Sequence, residues 1–280
     1  MANRVLLMGL FVLLCCGSVW ADSLTLGPAS GWVEAVCVAE VGNGYSVNST
    51  RHDLSSIPNG TVVSAACDTT HYYAPNDFGY PGGTISATGD VVLTKGTVPH
   101  IAVEGEVGVS GSPQGGSFRG HGELSYSVGI DQTAPLPPGV TVTAIPVKIT
   151  AVGETIGDAT VAVSFSGPGA NFWWNPPPNV STIWSIAPNT EYFAFIEADC
   201  TAEWPVDYTY ESQSCQAIVD PAFQFDQADF TGGFNLADYY SFEYSPNLTS
   251  TPTPTPTPEP SSLVLLGTGI LGILVLASRR

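Results

Sequence analysis

Basic side chains are nearly missing from this sequence. Seven Lys and Arg stand against 25 Asp and Glu in 280 residues, a formal charge of −18 at pH 7. Three of the seven lie at the ends, as Arg4, Arg279 and Arg280. Between residues 22 and 250 only Arg51, Lys95, Arg119 and Lys148 face twenty-four carboxylates, which leaves a formal charge of −20. So acidic a segment has no basic patch for phosphate backbones or anionic lipid, so nucleic acid is excluded as a partner. Solubility outside the cell is the plain consequence of that charge. Helical periodicity is also lacking between residues 22 and 250, because apolar residues do not recur at spacings of three and four. Chemical signatures are scarce as well. No Cys-x-x-Cys occurs, and His52, His71, His100 and His121 are scattered along the chain, which argues against a zinc site. No Gly-x-Ser-x-Gly elbow is present. Gly79–Gly83 and Gly111–Gly116 do not join a strand to a helix, as a phosphate cradle requires. The expectation is therefore no catalytic set, no cofactor and no metal site.

The two ends are built differently from the middle. Residues 1–21 carry Arg4, an apolar stretch from Val5 to Cys16, and Val19-Trp20-Ala21 before Asp22. That is the layout of a secretory signal peptide, with a helical apolar core and a small residue at the cut. At the other end, residues 249–260 form a Thr/Pro linker that closes on Pro258-Glu259-Pro260. Proline holds such a tract extended, and the eight residues from Thr251 to Pro258 reach roughly 25 Å. Residues 261–280 follow, with an uncharged apolar run over 263–277 and a terminal Arg279-Arg280. As a helix the run is about 22 Å long, short against a hydrocarbon core of about 30 Å, and Ser261, Ser262 and Ser278 bring it near a minimal span. The arginines are the expected cytoplasmic flank of a transmembrane helix in the inner membrane.

Pro-Glu-Pro, a short apolar helix and an Arg cluster in that order resemble the PEP-CTERM sorting signal of bacterial exported proteins. The resemblance implies an exosortase-type processing enzyme as a partner, with cleavage near Pro258–Pro260. It implies an inner-membrane-anchored precursor and a final location at the cell surface or outside it. A second stretch, Val219-Asp220-Pro221 through Tyr239-Tyr240-Ser241-Phe242-Glu243-Tyr244, resembles the segment before the anchor in some PEP-CTERM ectodomains. It adds no mechanism.

Residues 22–248 are then the extracytoplasmic domain, and their vocabulary is that of strands. Gly, Pro, Ser and Thr punctuate runs of Val, Ile, Thr, Tyr and Phe every few residues. About a dozen short strands predict an all-β fold, a β-sandwich with a jelly-roll-like arrangement preferred. Ile101, Val103, Gly105, Val107 and Val109 alternate with polar or small residues, and so do Phe118, Gly120, Gly122, Leu124, Tyr126 and Val128. Those two runs are expected to pair as a long hairpin across Gly111–Gly116. Asn48–Gly60 is expected to be a surface loop, Gly89-Asp90 a turn and Phe172–Pro178 a loop. Trp204–Tyr210 and the strand from Cys215 are expected to form a hairpin, and Tyr239–Tyr244 a last edge strand. Cys15 and Cys16 leave with the signal peptide, so Cys37, Cys67, Cys200 and Cys215 remain as an even set. An exported chain oxidises such a set to two disulfides. Of three pairings, sequence proximity favours Cys37–Cys67 and Cys200–Cys215.

Few residues in the domain offer chemistry. Glu104 and Glu106 share one face of a strand at a spacing that a glycoside hydrolase permits, but alternating Glu is also how a strand shows a solvated face. Asp226 and Asp229 lack the ordered oxygen ligands of a calcium loop. Trp173 and Trp174, before three prolines, could stack on sugar rings, although neighbours on a strand point to opposite sides. Trp32, Trp184 and Trp204 sit inside strand patterns and are expected to pack. The functional expectation is a structural or adhesive surface or matrix protein. A carbohydrate-binding module, taking extracellular polysaccharide at Trp173 and Trp174, is the alternative, and a polysaccharide hydrolase comes third.

Overall fold

A computed structural model describes residues 24–41, 44–54, 62–73, 83–96, 98–110, 115–174, 180–203 and 213–248. The signal peptide, Trp204, the linker, Pro258–Pro260, the apolar run 263–277, Arg279 and Arg280 lie outside the described residues. Among the described residues no helix is long and apolar enough to cross a membrane. The 23–250 segment is one compact unit.

Its strands are β1 (Ser30–Val41), β2 (Gly44–Asp53), β3 (Val62–Tyr73), β4 (Gly83–Thr94), β5 (His100–Ser110), β6 (Gly116–Gln132) and β7 (Ile145–Ile156). After these come β8 (Asp158–Gly167), β9 (Ala170–Trp174), β10 (Val180–Ile186), β11 (Glu191–Glu203), β12 (Gln213–Phe225) and β13 (Tyr240–Tyr244). They make two sheets. Sheet A runs β2-β1-β6-β11-β8-β9, with β13 on the far half of β6, and sheet B runs β10-β7-β12-β5-β4-β3. The long β6 is shared on one side, by β1 up to Ser125 and by β13 from Val128. The sheets stack as a sandwich, with β1 over β3 and β4, and β11 over β5 and β12. The alternation in the sequence is the cause: β11 and β12 bury every second residue, and two such half-apolar sheets must cover each other.

The sheets are tied at one level. Cys37 of β1 bonds to Cys67 of β3, and Cys200 of β11 to Cys215 of β12, with Cα–Cα distances of 5.7 and 5.6 Å. Both bonds cross between sheets. Facing sheets ordinarily lie about 10 Å apart, so the cystines hold this level closer than large side chains would allow. Register shows how the gap is filled. Cys67, Gly89, Gly105 and Cys215 are successive partners across β3, β4, β5 and β12. Between the cystines, sheet B therefore presents two glycines. Phe118 of sheet A, fully buried, lies on them, and a Cβ at either glycine would overlap its ring. Alanines 35, 39, 198 and 202 and glycines 120 and 122 continue the thin layer. Away from the cystines the layer fills with bulk, and Phe165 packs on Tyr192, Trp184 and Phe223 at 5.2–5.5 Å between ring centroids.

Several local expectations change. Gly89 is mid-strand rather than at a turn, because the site needs a residue without a Cβ. β5 and β6 do not pair. β6 lies in sheet A and β5 in sheet B. β11 and β12 also lie in different sheets, so the Cys200–Cys215 bond joins the sheets, while Trp204–Tyr210 of the expected hairpin lie outside the described residues. Residues 48–53 belong to β2, polar because among the described residues it is an edge strand paired with β1 alone. Residues 172–174 belong to β9. The last edge strand is found as expected, one residue shorter.

The chain ends of this unit are clamped to each other. Asn247 accepts from the Ala29 N–H at 2.7 Å and donates to the Ala29 carbonyl at 2.8 Å. Ser245 Oγ accepts from the Ser127 N–H at 2.8 Å and donates to the Gly27 carbonyl at 2.7 Å.

Two outcomes test this packing. Gly105→Ala should cost about 1–3 kcal/mol of unfolding free energy by overpacking, and Gly105→Ala with Phe118→Leu should cost less than the sum of the single changes. Urea unfolding of all three variants checks it; simple additivity would show that the ring and the glycine do not interact. Replacing Cys200 and Cys215 together by Ser should cost about 3 kcal/mol, as loss of a closed loop of this length predicts on chain-entropy grounds.

Candidate functional site on the outer face of sheet A

Residues that alternate with the core point outward from sheet A, and register sorts them into rows. Arg51, Glu34, His121, Asp199 and Thr160 form one row across β2, β1, β6, β11 and β8. Asp53, Trp32, Glu123, Glu197 and Ala162 form the next. One step further lie Ser125, Phe195, Ser164 and Trp173. Four strands thus deliver an imidazole, several carboxylates and three aromatic rings to one face.

His121 is the centre of the first two rows. Its Nδ1 lies 2.6 Å from Asp199 Oδ1 and 3.8 Å from Glu197 Oε1, and its Nε2 lies 3.8 Å from Glu123 Oε2. The side chain is 14% exposed. Trp32 stacks on the imidazole at 4.3 Å between centroids, and the Arg51 guanidinium lies over the indole at 3.8 Å. Burial disfavours a charged imidazole. The Asp199 hydrogen bond and the charges of Asp199, Glu197 and Glu123 outweigh it and hold the His121 pKa above its ordinary 6.5. Burial also opposes ionisation of Asp199, yet His121, with help from Glu197 and Arg119, holds that carboxyl below its ordinary 3.8. Glu197 goes the other way, raised by burial and then by the Asp199 charge. Asp199 is thus the permanent anion of the trio and Glu197 the weaker acid.

Trp173 and Phe195 make the second feature. Their rings lie 6.2 Å apart at 18°, nearly parallel. They belong to β9 and β11, with the small Ser164 of β8 between them, and Phe195 is half-buried. Trp173 is 62% exposed. Trp174 points the other way and packs against the core. Of the expected tryptophan pair, then, only Trp173 faces out, and its companion is Phe195. The sign is that of any strand: adjacent residues take opposite faces.

The tail is where known proteins match. The family described as the PEP-CTERM protein-sorting motif matches residues 256–280. The chain carries a PEP-CTERM sorting signal. Such a signal marks an exported protein that passes through a membrane-anchored precursor and is sorted by an exosortase. No curated protein matches the chain. Two solved structures are similar at a low level. One is the enzymatically active domain of bacteriophage CBA120 tailspike protein 4, at 12% identity and a TM-score of 0.20, with the match covering 60% of this chain and 20% of that one. The other is TmCBM61 in complex with β-1,4-galactotriose, at 9% identity and a TM-score of 0.19, covering 62% and 94%. At those scores neither carries an argument about this PEP-CTERM protein.

The remaining residues singled out in the sequence fall elsewhere on the domain. Glu104 and Glu106 lie on the outer face of sheet B beside Asp90, and Glu104 accepts a hydrogen bond from Gln216. Burial, then the Glu104 charge, raises the Asp90 pKa. Asp226 accepts from the N–H groups of Ala228 and Asp229 at 3.1 and 3.3 Å, so its carboxylate closes a turn. Trp184 packs as expected, but Trp32 covers His121 instead of filling the core. The His121 cluster escaped the sequence because its members are up to 78 residues apart. Alternation placed His121 and Glu123 on one face, and only the β6–β11 register adds Glu197 and Asp199.

The pH dependence has a defined sign. A raised His121 pKa stabilises the fold below about 6.5, and that contribution is lost as pH rises through the folded value. The lowered Asp199 pKa contributes above 3.8 and is lost as pH falls through its own folded value. The stability gap between the parent and His121→Gln should therefore be widest from about pH 4 to 6.5 and shrink above it. Thermal melts across pH in chelated buffer check this. A gap that widens above pH 7 would contradict the arrangement.

Proposed function

We propose that the protein is a structural or adhesive component of the cell surface or extracellular matrix, displayed after exosortase sorting, and that its sandwich binds and does not catalyse. The observation that carries this reading is the union of a PEP-CTERM tail with a domain tied by two disulfides between its sheets. A module whose layers are covalently joined keeps its shape outside the cell without chaperones. The clamp between residues 27–29 and 245–247 adds to that role. Load arriving from the linker meets paired hydrogen bonds to the start of the domain before it reaches the sheets.

A second reading has its own observation. Trp173, 62% exposed, stands beside the near-parallel ring of the half-buried Phe195 on the outer face of sheet A, which suits stacking of sugar rings in an extracellular polysaccharide. The surrounding carboxylates favour a neutral or amino-bearing glycan over a polyanionic one.

Two measurements test these readings. The mature protein from its native host should end near Pro258–Ser262 by intact mass; an end at Arg280 would leave a plain anchor and remove sorting. On a glycan array, Trp173→Ala and Phe195→Ala should each weaken binding about three- to tenfold if a ring contributes roughly 0.5–1.5 kcal/mol. Trp174→Ala should act on stability instead. Absence of any glycan bound by the parent would dispose of the second reading alone.

A further inference from the structure

We propose that His121, Asp199 and Glu197 form a site for one divalent transition cation of the zinc class. Among the described residues they are the set of His, Cys, Asp or Glu whose donor atoms all lie within 4.8 Å of one another. One imidazole and two carboxylates are a donor set that zinc accepts, with bonds of about 2.0–2.2 Å and a fourth position for water. Tetrahedral ligands at those lengths stand about 3.4 Å apart. The Nδ1 distances of 2.6 and 3.8 Å to Asp199 and Glu197 bracket that value. The cation takes the place of the proton that Nδ1 now shares with Asp199, and small rotations of two carboxylates complete the set.

The second ring nitrogen has its own place in this arrangement. His121 Nε2 is buried and has no hydrogen-bond partner. The carboxylate nearest to it is Glu123, at 3.8 Å. Metal on Nδ1 fixes the remaining ring proton on Nε2, facing Glu123. That is the outer carboxylate that orients a metal-bound imidazole and raises its basicity. Trp32, held by Arg51, stacks on the ring and keeps Nδ1 aimed between the two carboxylates. Rigidity comes from below, since Gly120 and Gly122, flanking His121, are pressed against Val103 and Ile101 of sheet B.

Other acidic groupings do not reach this standard. Asp90, Glu104 and Glu106 include no imidazole, Asp226 is committed to its turn, and among the described residues His100 meets one carboxylate, Asp220. The inference does not rest on the glycan reading, because its readout is metal binding.

The test is equilibrium dialysis of the full chain, purified in detergent, against zinc chloride. One equivalent of zinc should bind the parent. Asp199→Asn and Glu197→Gln should each lose at least tenfold in affinity, and Glu123→Gln about tenfold, as removal of an outer partner does. Glu106→Gln, on the opposite sheet, should bind as the parent does. Histidine NMR supplies a second readout, in which zinc should move the His121 ring resonances and leave those of His52 and His100. Each variant is accepted only if it melts cooperatively, and His121 itself need not be replaced. Failure of the parent to bind one equivalent would overturn the site. So would equal binding by Asp199→Asn and Glu197→Gln, which would assign the zinc to scattered surface carboxylates.

Discussion

Everything in the sandwich accommodates the contact of Phe118 with Gly89 and Gly105 between two disulfides. Cystines fix the distance between sheets at that level, and the distance admits one aromatic ring only where the opposite strands carry no Cβ. An interior is packed like a crystal, so neither the ring nor the glycines can change alone. The small residues along β1, β6 and β11 follow from the same spacing, and so does the aromatic cluster around Phe165, where the sheets are free of the cystines. The thinness of the layer at that level and the position of bulk away from it go with that tie.

That tie also sets what the outer face can do. Holding β1, β6 and β11 against sheet B leaves three adjacent strands whose outward residues keep a fixed register. Trp32, His121, Glu123, Glu197 and Asp199 meet only because those three strands do not slide. A cluster in which one imidazole faces three carboxylates is costly on a flexible surface, since each side chain must be ordered. On a disulfide-locked sheet most of that ordering is supplied by the fold. The same face carries Trp173 and Phe195, so the His121 cluster and this aromatic pair share the outer side of sheet A.

Much of the fold was legible in the sequence. Alternation in 101–107 and 118–128 named the inward residues correctly, because a half-buried strand has no other way to be soluble. Export, an even set of cysteines and short loop separations together pointed to Cys37–Cys67 and Cys200–Cys215. What alternation cannot carry is which strand neighbours which. β5 and β6 look like a hairpin, with matched runs around a glycine-rich connection, yet they lie in different sheets. Gly89 looks like a turn residue, and its real partner is a phenylalanine 29 positions away in the chain. Polar β2 looks like a loop because an edge strand is solvated along its free side.

By itself the sequence determined that this is an acidic, all-β domain bearing a sorting tail. Those properties are local: composition fixes charge, period two fixes strand faces, and the ordered Pro-Glu-Pro, apolar and Arg segments are contiguous. Tertiary structure alone decided that the disulfides join two sheets, that Phe195 and not Trp174 accompanies Trp173, and that His121 has carboxylate partners. Each of these depends on pairing between strands far apart in sequence, where register is set by the packing of the whole core and no short stretch contains the information.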